Sequence, residues 1–306
     1  MKKILVVGSL NIDFVINVDE MPKTGETVLG NNLEFIPGGK GANQAYAAGK
    51  LGASIAMIGA VGRDIYGTIL VDNLTSVGVD TTAIARLDNQ KTGSAFIVVN
   101  KQGHNRIIVI SGANKCISID IINRHINMIQ ESDIIIMQLE IPMDVVIYVA
   151  KIAKQMGKLV ILDPAPAPEF LPDELIQNVD ILKPNETELA RLTGCSIYTI
   201  EDIVSGANKL VNRGVPTVIV TLGERGAVMV NRDGWVHKTV SSVKAVDTTA
   251  AGDGFIAALA LGLTREMSID EAIDFGNSVS TLVVTRKGAQ TSIPTMDEVK
   301  LLLKHI

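Results

Sequence analysis

Two cysteines in 306 residues, Cys116 and Cys195, leave this chain without a disulfide framework. Sparse thiol usage of this kind fits a reduced, cytoplasmic setting. The four histidines (His104, His125, His237 and His305) are scattered and read as surface or satisfied residues. With no Cys/His cluster, nothing resembles a zinc site. Basic residues are not in surplus: 28 Lys and Arg against 33 Asp and Glu give a net charge of −5. That balance argues against a general nucleic-acid binder. No apolar run approaches the ~20 residues needed to span a bilayer, so no membrane partner is expected. Lys2-Lys3 before Ile4-Leu5-Val6-Val7 faintly mimics a secretion signal, but the run breaks at Gly8-Ser9 and turns polar at Asn11 and Asp13. An opening strand is the better reading. Repeats, low-complexity tracts and Pro/Gly-rich linkers are missing too.

What remains is a chain with an ordinary 47% hydrophobic fraction, long enough to bury a large core. Apolar strand-like runs fall at residues 4–8, 55–59, 134–139, 159–162, 181–183 and 218–222. Helical patterns lie between many of them, as at 145–156, 186–192 and 202–213. This alternation predicts an α/β fold: a largely parallel central sheet covered by helices on both faces. Ligands then bind beyond the carboxyl ends of the strands. Asp13, Glu140, Asn185 and the loop before Asp253 each follow a strand-like run. Residues 14–18 with 27–36, and 94–100 with 106–111, read instead as extended segments. The second pair is joined by a polar turn at Lys101-Gln102-Gly103. On pattern alone these could be plain edge strands.

The richest stretch is Ala245-Val246-Asp247-Thr248-Thr249-Ala250-Ala251-Gly252-Asp253-Gly254-Phe255, which runs from an apolar, β-branched segment into the small-residue start of a helix. A helix start leaves backbone N–H groups unpaired and carries partial positive charge, and small residues let an anion approach them. Asp253 inside such a cradle suggests a base beside transferring charge, the arrangement needed for phosphoryl transfer to a hydroxyl. Asp253 also suits a plain helix N-terminus. A second unusual segment is Pro37-Gly38-Gly39-Lys40-Gly41-Ala42-Asn43-Gln44-Ala45. Its glycines allow a tight turn and close approach to a ligand, and Lys40 and Asn43 place a cation and an amide at the mouth. It does not have the Walker spacing.

In order along the chain, these two segments resemble the signatures of the ribokinase-like carbohydrate kinase family, which includes phosphofructokinase B, fructokinase and adenosine kinase. Further matches are Gly8-Ser9-Leu10-Asn11-Ile12-Asp13, Gln138-Leu139-Glu140, Asp163-Pro164-Ala165-Pro166-Ala167, Pro184-Asn185-Glu186-Thr187-Glu188, Thr221-Leu222-Gly223 and Thr285-Arg286-Lys287-Gly288-Ala289-Gln290. The resemblance covers nearly the whole chain. It implies one kinase domain over residues 1–306, with a small β lid formed by approximately 14–36 and 94–111 that covers the sugar and makes a homodimer contact. The implied reaction is ATP-dependent phosphorylation of the terminal (5-) hydroxyl of a sugar, ribose foremost, with 2-deoxyribose, fructose or adenosine as related acceptors.

The resemblance also implies roles, residue by residue. Asp253 resembles the general base, with backbone amides of Ala250, Ala251, Gly252 and Asp253 as the anion hole. Asn11, Asp13, Gly39, Lys40, Asn43 and Glu140 resemble sugar-binding positions, although Asn11 and Asp13 could be turn residues and Lys40 solvated. Asn185, Thr221, Gly223, Gly226, Gly252 and Asn277 resemble nucleotide-side positions. Glu188 resembles the residue that organises water around Mg²⁺ or another divalent cation, and equally suits a first-turn helix acid. Asp247, Thr249, Val283, Arg286, Gly288 and Ser292 resemble a potassium site built mostly from backbone oxygens.

One position departs from the pattern: Gly254 stands where the family usually has Thr. Its backbone N–H serves a cradle as well as threonine's would. Because glycine in a first helical turn is up to roughly 1 kcal/mol worse than alanine, Gly254→Ala or Gly254→Thr is expected to stabilise slightly. The change also creates a Gly-x-Gly-x-x-Ala string, Gly252 to Ala257. A dinucleotide fingerprint should open a βαβ unit, whereas this one lies near the chain's end. A dinucleotide-dependent oxidoreductase and a non-catalytic sugar-binding relative are the competing readings.

Overall fold

The apolar runs and amphipathic stretches become thirteen strands and eleven helices in the computed structural model, which describes residues 2–304. The first third holds β1 (Lys3–Val7), β2 (Asn11–Val18), β3 (Gly30–Gly38), α1 (Lys40–Lys50), β4 (Ser54–Gly62), α2 (Ile65–Ser76), β5 (Asp80–Leu87), β6 (Gly93–Val99) and β7 (Asn105–Ile110). The middle holds α3 (Ile119–Arg124), α4 (Ile126–Glu131), β8 (Ile134–Met137), α5 (Met143–Gln155), β9 (Leu159–Leu162), α6 (Asp173–Ile176) and β10 (Ile181–Leu182). Then come α7 (Glu186–Thr193), α8 (Ile200–Arg213), β11 (Thr217–Thr221), β12 (Ala227–Asn231), β13 (Gly234–Lys238), α9 (Ala251–Thr264), α10 (Ile269–Val283) and α11 (Met296–Lys304).

Nine strands form one sheet in the order β13-β12-β11-β10-β9-β8-β1-β4-β5, parallel from β11 to β5, with β12 and β13 running antiparallel at one edge. Strand residues alternate between the two faces, and each face is buried. Leu5, Val7, Ile135 and Leu162 pack with α3 to α8 in one core, while Ile4, Val6, Ile136 and Ile161 pack with α1, α2, α9, α10 and α11 in the other. This is the two-sided covering expected of a mostly parallel sheet. Among the described residues no helix is long and apolar enough to cross a membrane.

The extended segments form a separate four-stranded sheet, β3-β2-β6-β7, in which β2 pairs parallel with β6 and the other two pairings are antiparallel. Phe14 stacks on Phe96 with ring centroids 4.8 Å apart and meets Phe35 and Tyr66 edge-on, which ties this sheet to α2. Its outer strand β7 exposes Ile107, Ile108, Val109 and Ile110.

Three details differ from the sequence reading. Extended structure anticipated from residue 27 begins at Gly30. Asn11 and Asp13 lie within β2 of the second sheet and not in a loop closing a central strand. No strand leads directly into α9: residues 239–250, between β13 and α9, are mostly exposed loop, with Val246 at 62% exposure, so the β-branched residues there mark no buried strand. Of the histidines, His104 is exposed, His125 is half-buried, and His237 Nε2 lies 2.8 Å from the Arg225 carbonyl; His305 lies outside the described residues.

Candidate active site

The start of α9 is an anion cradle in its geometry. Ala250 caps the helix with φ 61° and ψ 9°, a left-handed conformation in a non-glycine residue that costs about 1–2 kcal/mol. No side chain caps this end. The Ala251 N–H reaches only the Thr248 carbonyl, at 3.3 Å, and the first intrahelical bond runs from the Gly254 N–H to the Ala250 carbonyl, at 2.8 Å. The amides of Gly252 and Asp253 are therefore left to an incoming anion. The Gly252-to-Ala257 string lies inside α9 after a long loop, so it is not a strand–turn–helix fingerprint.

Asp253 is 6% exposed, and both its oxygens are held. Asn43 Nδ2 donates to Oδ2 at 3.0 Å, and Gln44 Nε2 donates to Oδ1 at 3.0 Å. Both donors come from the first turns of α1, which the Gly-rich segment launches. Gly39 at φ 88° takes a backbone conformation that side chains avoid, and a Cβ there would sit 2.7 Å from the Asn11 amide nitrogen. That closeness brings α1 against the β1–β2 connection and so joins Lys40 and Asn43 to Asn11 and Asp13.

Two cavities hold candidate site residues, and Asp253 lines the first. One, about 340 Å³, is lined by Asp253, Gly252, Lys40, Lys183, Asp163 and Asn185, among others. Lys183 is 3% exposed, its Nζ 3.8 Å from Asp163 Oδ1, and a Cβ on Gly252 would come within 3.2 Å of that nitrogen. A buried ammonium beside free helix-start amides is a site for phosphate oxygens. Burial works against the charge on Lys40, but Asp163, Asp253, Glu140 and Glu188 together outweigh it and hold this ammonium more firmly protonated than usual.

The second cavity, about 470 Å³, has Asn11, Asn114 and Glu140 on its polar side and Val109, Leu139 and Ile141 on its apolar side. Asn114 Nδ2 donates to Asn11 Oδ1 at 2.8 Å, which leaves the Asn11 amino group free to donate. Glu140 Oε2 accepts from Ser9 Oγ at 2.5 Å and from the Lys40 N–H at 3.1 Å. Burial, and then the charges of Glu140 and Asp253, push Asp13 up to about 7. Acceptors and donors arranged this densely suit a ligand carrying several hydroxyls. A larger cavity of about 550 Å³ lies against α8 and Trp235, lined by none of these residues.

Asn185, Thr221, Gly223 and Glu188 line the 340 Å³ cavity. Asn185 and Glu188 also form a capping box, each side chain accepting the other's N–H at 2.8 Å, so their helix-start role is realised as well. Burial, followed by the charge of Asp163, raises the Glu188 pKa. Gly226 and Asn277 are not brought to that cavity. They meet at the Lys238 carbonyl, which would lie 2.0 Å from a Cβ on Gly226 and accepts from Asn277 Nδ2 at 3.4 Å.

The expected cation residues gather at one junction. Asp247 Oδ1 accepts from the Thr249 N–H (2.9 Å) and hydroxyl (2.6 Å), and Oδ2 from the Gly288 N–H (2.9 Å). The Val283 carbonyl accepts from the Arg286 N–H, and Ser292 Oγ donates to the Ala289 carbonyl. The Arg286 guanidinium pairs with Glu298 at 2.7 Å and, with the Thr295 N–H, draws that carboxyl down to about 2. Among the described residues no group of three or more His, Cys, Asp and Glu could hold a metal ion directly.

Gly254 requires a correction. It does not face the cradle: a Cβ there would come 3.2 Å from Val283 Cγ2 and 3.4 Å from Val279 Cγ1, against α10. The expected gain from alanine or threonine therefore meets a packed wall. Sequence reasoning assigned no role to Lys183, Gln44, Gln138, Asp163 or Asn114. Lys183 and Asp163 adjoin or lie in quoted motifs, and Gln44 sits in the Gly-rich segment, but nothing local marks them as facing one site.

A family profile described as pfkB family carbohydrate kinase matches residues 1–296. A curated ribokinase of Haemophilus influenzae is 43% identical over 306 residues, covering 99% of each chain. A deoxyribokinase of Salmonella typhi is 37% identical over 295 residues, covering 96% of each. Among solved structures, Arabidopsis thaliana ribokinase complexed with ribose and ATP superposes with a TM-score of 0.93 at 35% identity, covering 99% of each chain. A match over nearly its whole length, on the same fold and with the motifs in place, shows that the chain belongs to the pfkB family of carbohydrate kinases.

Proposed function

We propose that the protein transfers the γ-phosphoryl group of ATP to the terminal (5-) hydroxyl of D-ribose, giving ribose 5-phosphate and ADP. The observation that carries this reading is the placement of Asp253. It is buried at the mouth of the α9 cradle, facing free amides and the cationic cavity, with its carboxylate fixed from behind by Asn43 and Gln44. The sugar hydroxyl gives its proton to Asp253 as its oxygen attacks phosphorus. The free amides of Gly252 and Asp253, with Lys183, take up negative charge on the transferred group; one such donor is typically worth about 3 kcal/mol. The relatives' ribokinase activity and the ribose and ATP bound to the Arabidopsis protein support the choice of substrates.

Asn11, Asp13, Gly39, Lys40, Asn43 and Glu140 hold the sugar in this reading, under a lid made by the smaller sheet. Asn185, Thr221 and Gly223 hold the nucleotide, with Gly226 and Asn277 shaping its outer wall. Glu188 spends Oε2 on the helix start and, with a raised pKa in a cavity that also holds two lysines, suits a hydrated divalent ion better than direct ligation. Magnesium would supply charge neutralisation between phosphate oxygens. At the Asp247 junction three donors already use the carboxylate, so a potassium ion would draw mainly on main-chain oxygens of the 247–249 and 283–292 segments. The exposed apolar residues of β7 fit burial against a second copy of the chain, making a homodimer through the lid. The thiol usage keeps a cytoplasmic setting in the proposal.

The deoxyribokinase relative favours a second reading, 2-deoxyribose as acceptor. Coupled ADP-release kinetics on a sugar panel, in potassium and in sodium buffers, separate the two. Ribose is expected to give the highest kcat/KM because a missing hydroxyl leaves a buried partner unpaired, and potassium is expected to raise the rate. Equal efficiency on ribose and 2-deoxyribose refutes the choice of sugar; no sugar-dependent ADP release refutes the kinase reading.

A further inference from the structure

Behind Asp253 lies a fully buried amide whose contacts beyond Asp253 the phosphoryl-transfer reading above leaves unused. Gln44 and Gln138 are both 0% exposed. The Gln44 amino group donates to Asp253 Oδ1 at 3.0 Å and to Asp163 Oδ2 at 3.1 Å. Both its hydrogens are thereby committed. Gln44 Oε1 accepts from Gln138 Nε2 at 2.5 Å. These three bonds fix which way the amide points, because a flipped Gln44 would set its oxygen against two carboxylates and its amino group against the Gln138 amino group.

Burying an amide costs free energy unless its hydrogen bonds are recovered, and an aliphatic residue would fill the same space. What the amide adds is a bridge between two buried carboxylates that otherwise repel. Both line the phosphate cavity: Asp253 is also held on its other oxygen by Asn43, whereas Asp163 Oδ1 has no hydrogen-bond partner among the described residues and lies 3.8 Å from Lys183 Nζ. We propose that Gln44 is a positioning residue: it holds the Asp253 carboxylate and the Asp163–Lys183 pair in one fixed arrangement, so that base and phosphate cavity are aligned before substrates meet. With Asn43 on Oδ2 and Gln44 on Oδ1, the carboxylate cannot rotate about its terminal torsion without losing one of two bonds. The proposal rests on Asp253 acting as the base.

The test compares wild type with Gln44→Met and Gln44→Glu, each checked for folding by thermal melting. Gln44→Met keeps the length and removes both donors. Its kcat should fall about 10- to 100-fold, the scale of a misplaced reacting group, with both KM values within about threefold of wild type. In Gln44→Glu the new group faces Asp253 from α9 and Asp163 from the end of β9, with Lys183 and Lys40 the nearby cations. Burial and two carboxylates favour its neutral form, which donates one bond at low pH; ionised, it donates none. Its kcat should therefore fall as pH rises through a range where wild type is flat. If Gln44→Met does not fold, this profile decides alone. Folded variants with wild-type kcat and no new alkaline limb overturn the positioning role while leaving the kinase reading intact. A wild-type protein that releases no ADP overturns both.

Discussion

Asp13 sits in the folded protein at a cost that depends on pH, and the dependence can be worked out. Its pKa rises from the ordinary 3.8 to about 7, first because the carboxyl is buried and then because Glu140 and Asp253 repel its charge. A carboxyl whose pKa is raised by folding binds its proton more tightly in the folded state. Its stabilising contribution is complete below pH 3.8 and is lost as pH climbs through about 7. At about 1.4 kcal/mol for each tenfold change, the full loss is about 4 kcal/mol above pH 7. Asp13→Asn keeps the shape, which matters because a Cβ on Gly38 would sit 2.3 Å from Asp13 Oδ2, and it removes the charge. Without sugar, the variant should be more stable than wild type by about 2 kcal/mol at pH 5 and about 4 kcal/mol at pH 8. Urea denaturation at both values measures the gap. It should widen by about 2 kcal/mol between them, while sugar affinity drops because an acceptor for a hydroxyl proton has gone. A gap that is constant or narrows with rising pH refutes the reasoning, since no other substitution-dependent charge then titrates as claimed.

Asp253→Asn should lower kcat by roughly 10²–10⁴-fold with sugar and ATP dissociation constants near wild type; a variant keeping over about a tenth of the turnover removes Asp253 as base. Gly254→Ala should leave the melting temperature unchanged or slightly lower, because the helix-propensity gain of up to ~1 kcal/mol is offset by the contact with Val283; Gly254→Thr should cost about 1–3 kcal/mol. A higher melting temperature for Gly254→Thr contradicts that packing argument. Lys183→Met breaks a buried pair and should cost about 3 kcal/mol in urea denaturation, with Asp163→Asn in the same chain restoring part of the loss. Additive losses in the double variant show that the two groups do not interact.

Much of the site was legible in one dimension because its chemistry needs special backbone. A cradle of free amides needs small residues at a helix start, and Ala250-Ala251-Gly252-Asp253 displays them. A tight turn into α1 needs glycine at a positive φ, and Gly39 supplies it. The buried strands read as apolar runs because both faces of a parallel sheet are covered. The second sheet was readable as extended segments, but its strand limits were not, since bulges and exposed ends leave no hydrophobic signature.

The amino-acid sequence by itself determined the layered α/β architecture and the family, and it singled out Asp253 as the candidate base, because each depends on local periodicity or on contiguous motifs. Tertiary structure alone decided which polar groups share a field. Gln44 meets Asp253 across 209 positions, and Asn114 orients Asn11 across 103. Asp13 becomes a weaker acid than usual first because the fold buries it and then because it brings Glu140 and Asp253 near. Gly254 shows the same limit. Its position after Asp253 says that it belongs to the cradle, but a helix turns about 100° at each residue, so the next side chain points at α10 instead. Which face a residue shows, and what lies opposite, is fixed by packing between distant segments, and no local pattern records it.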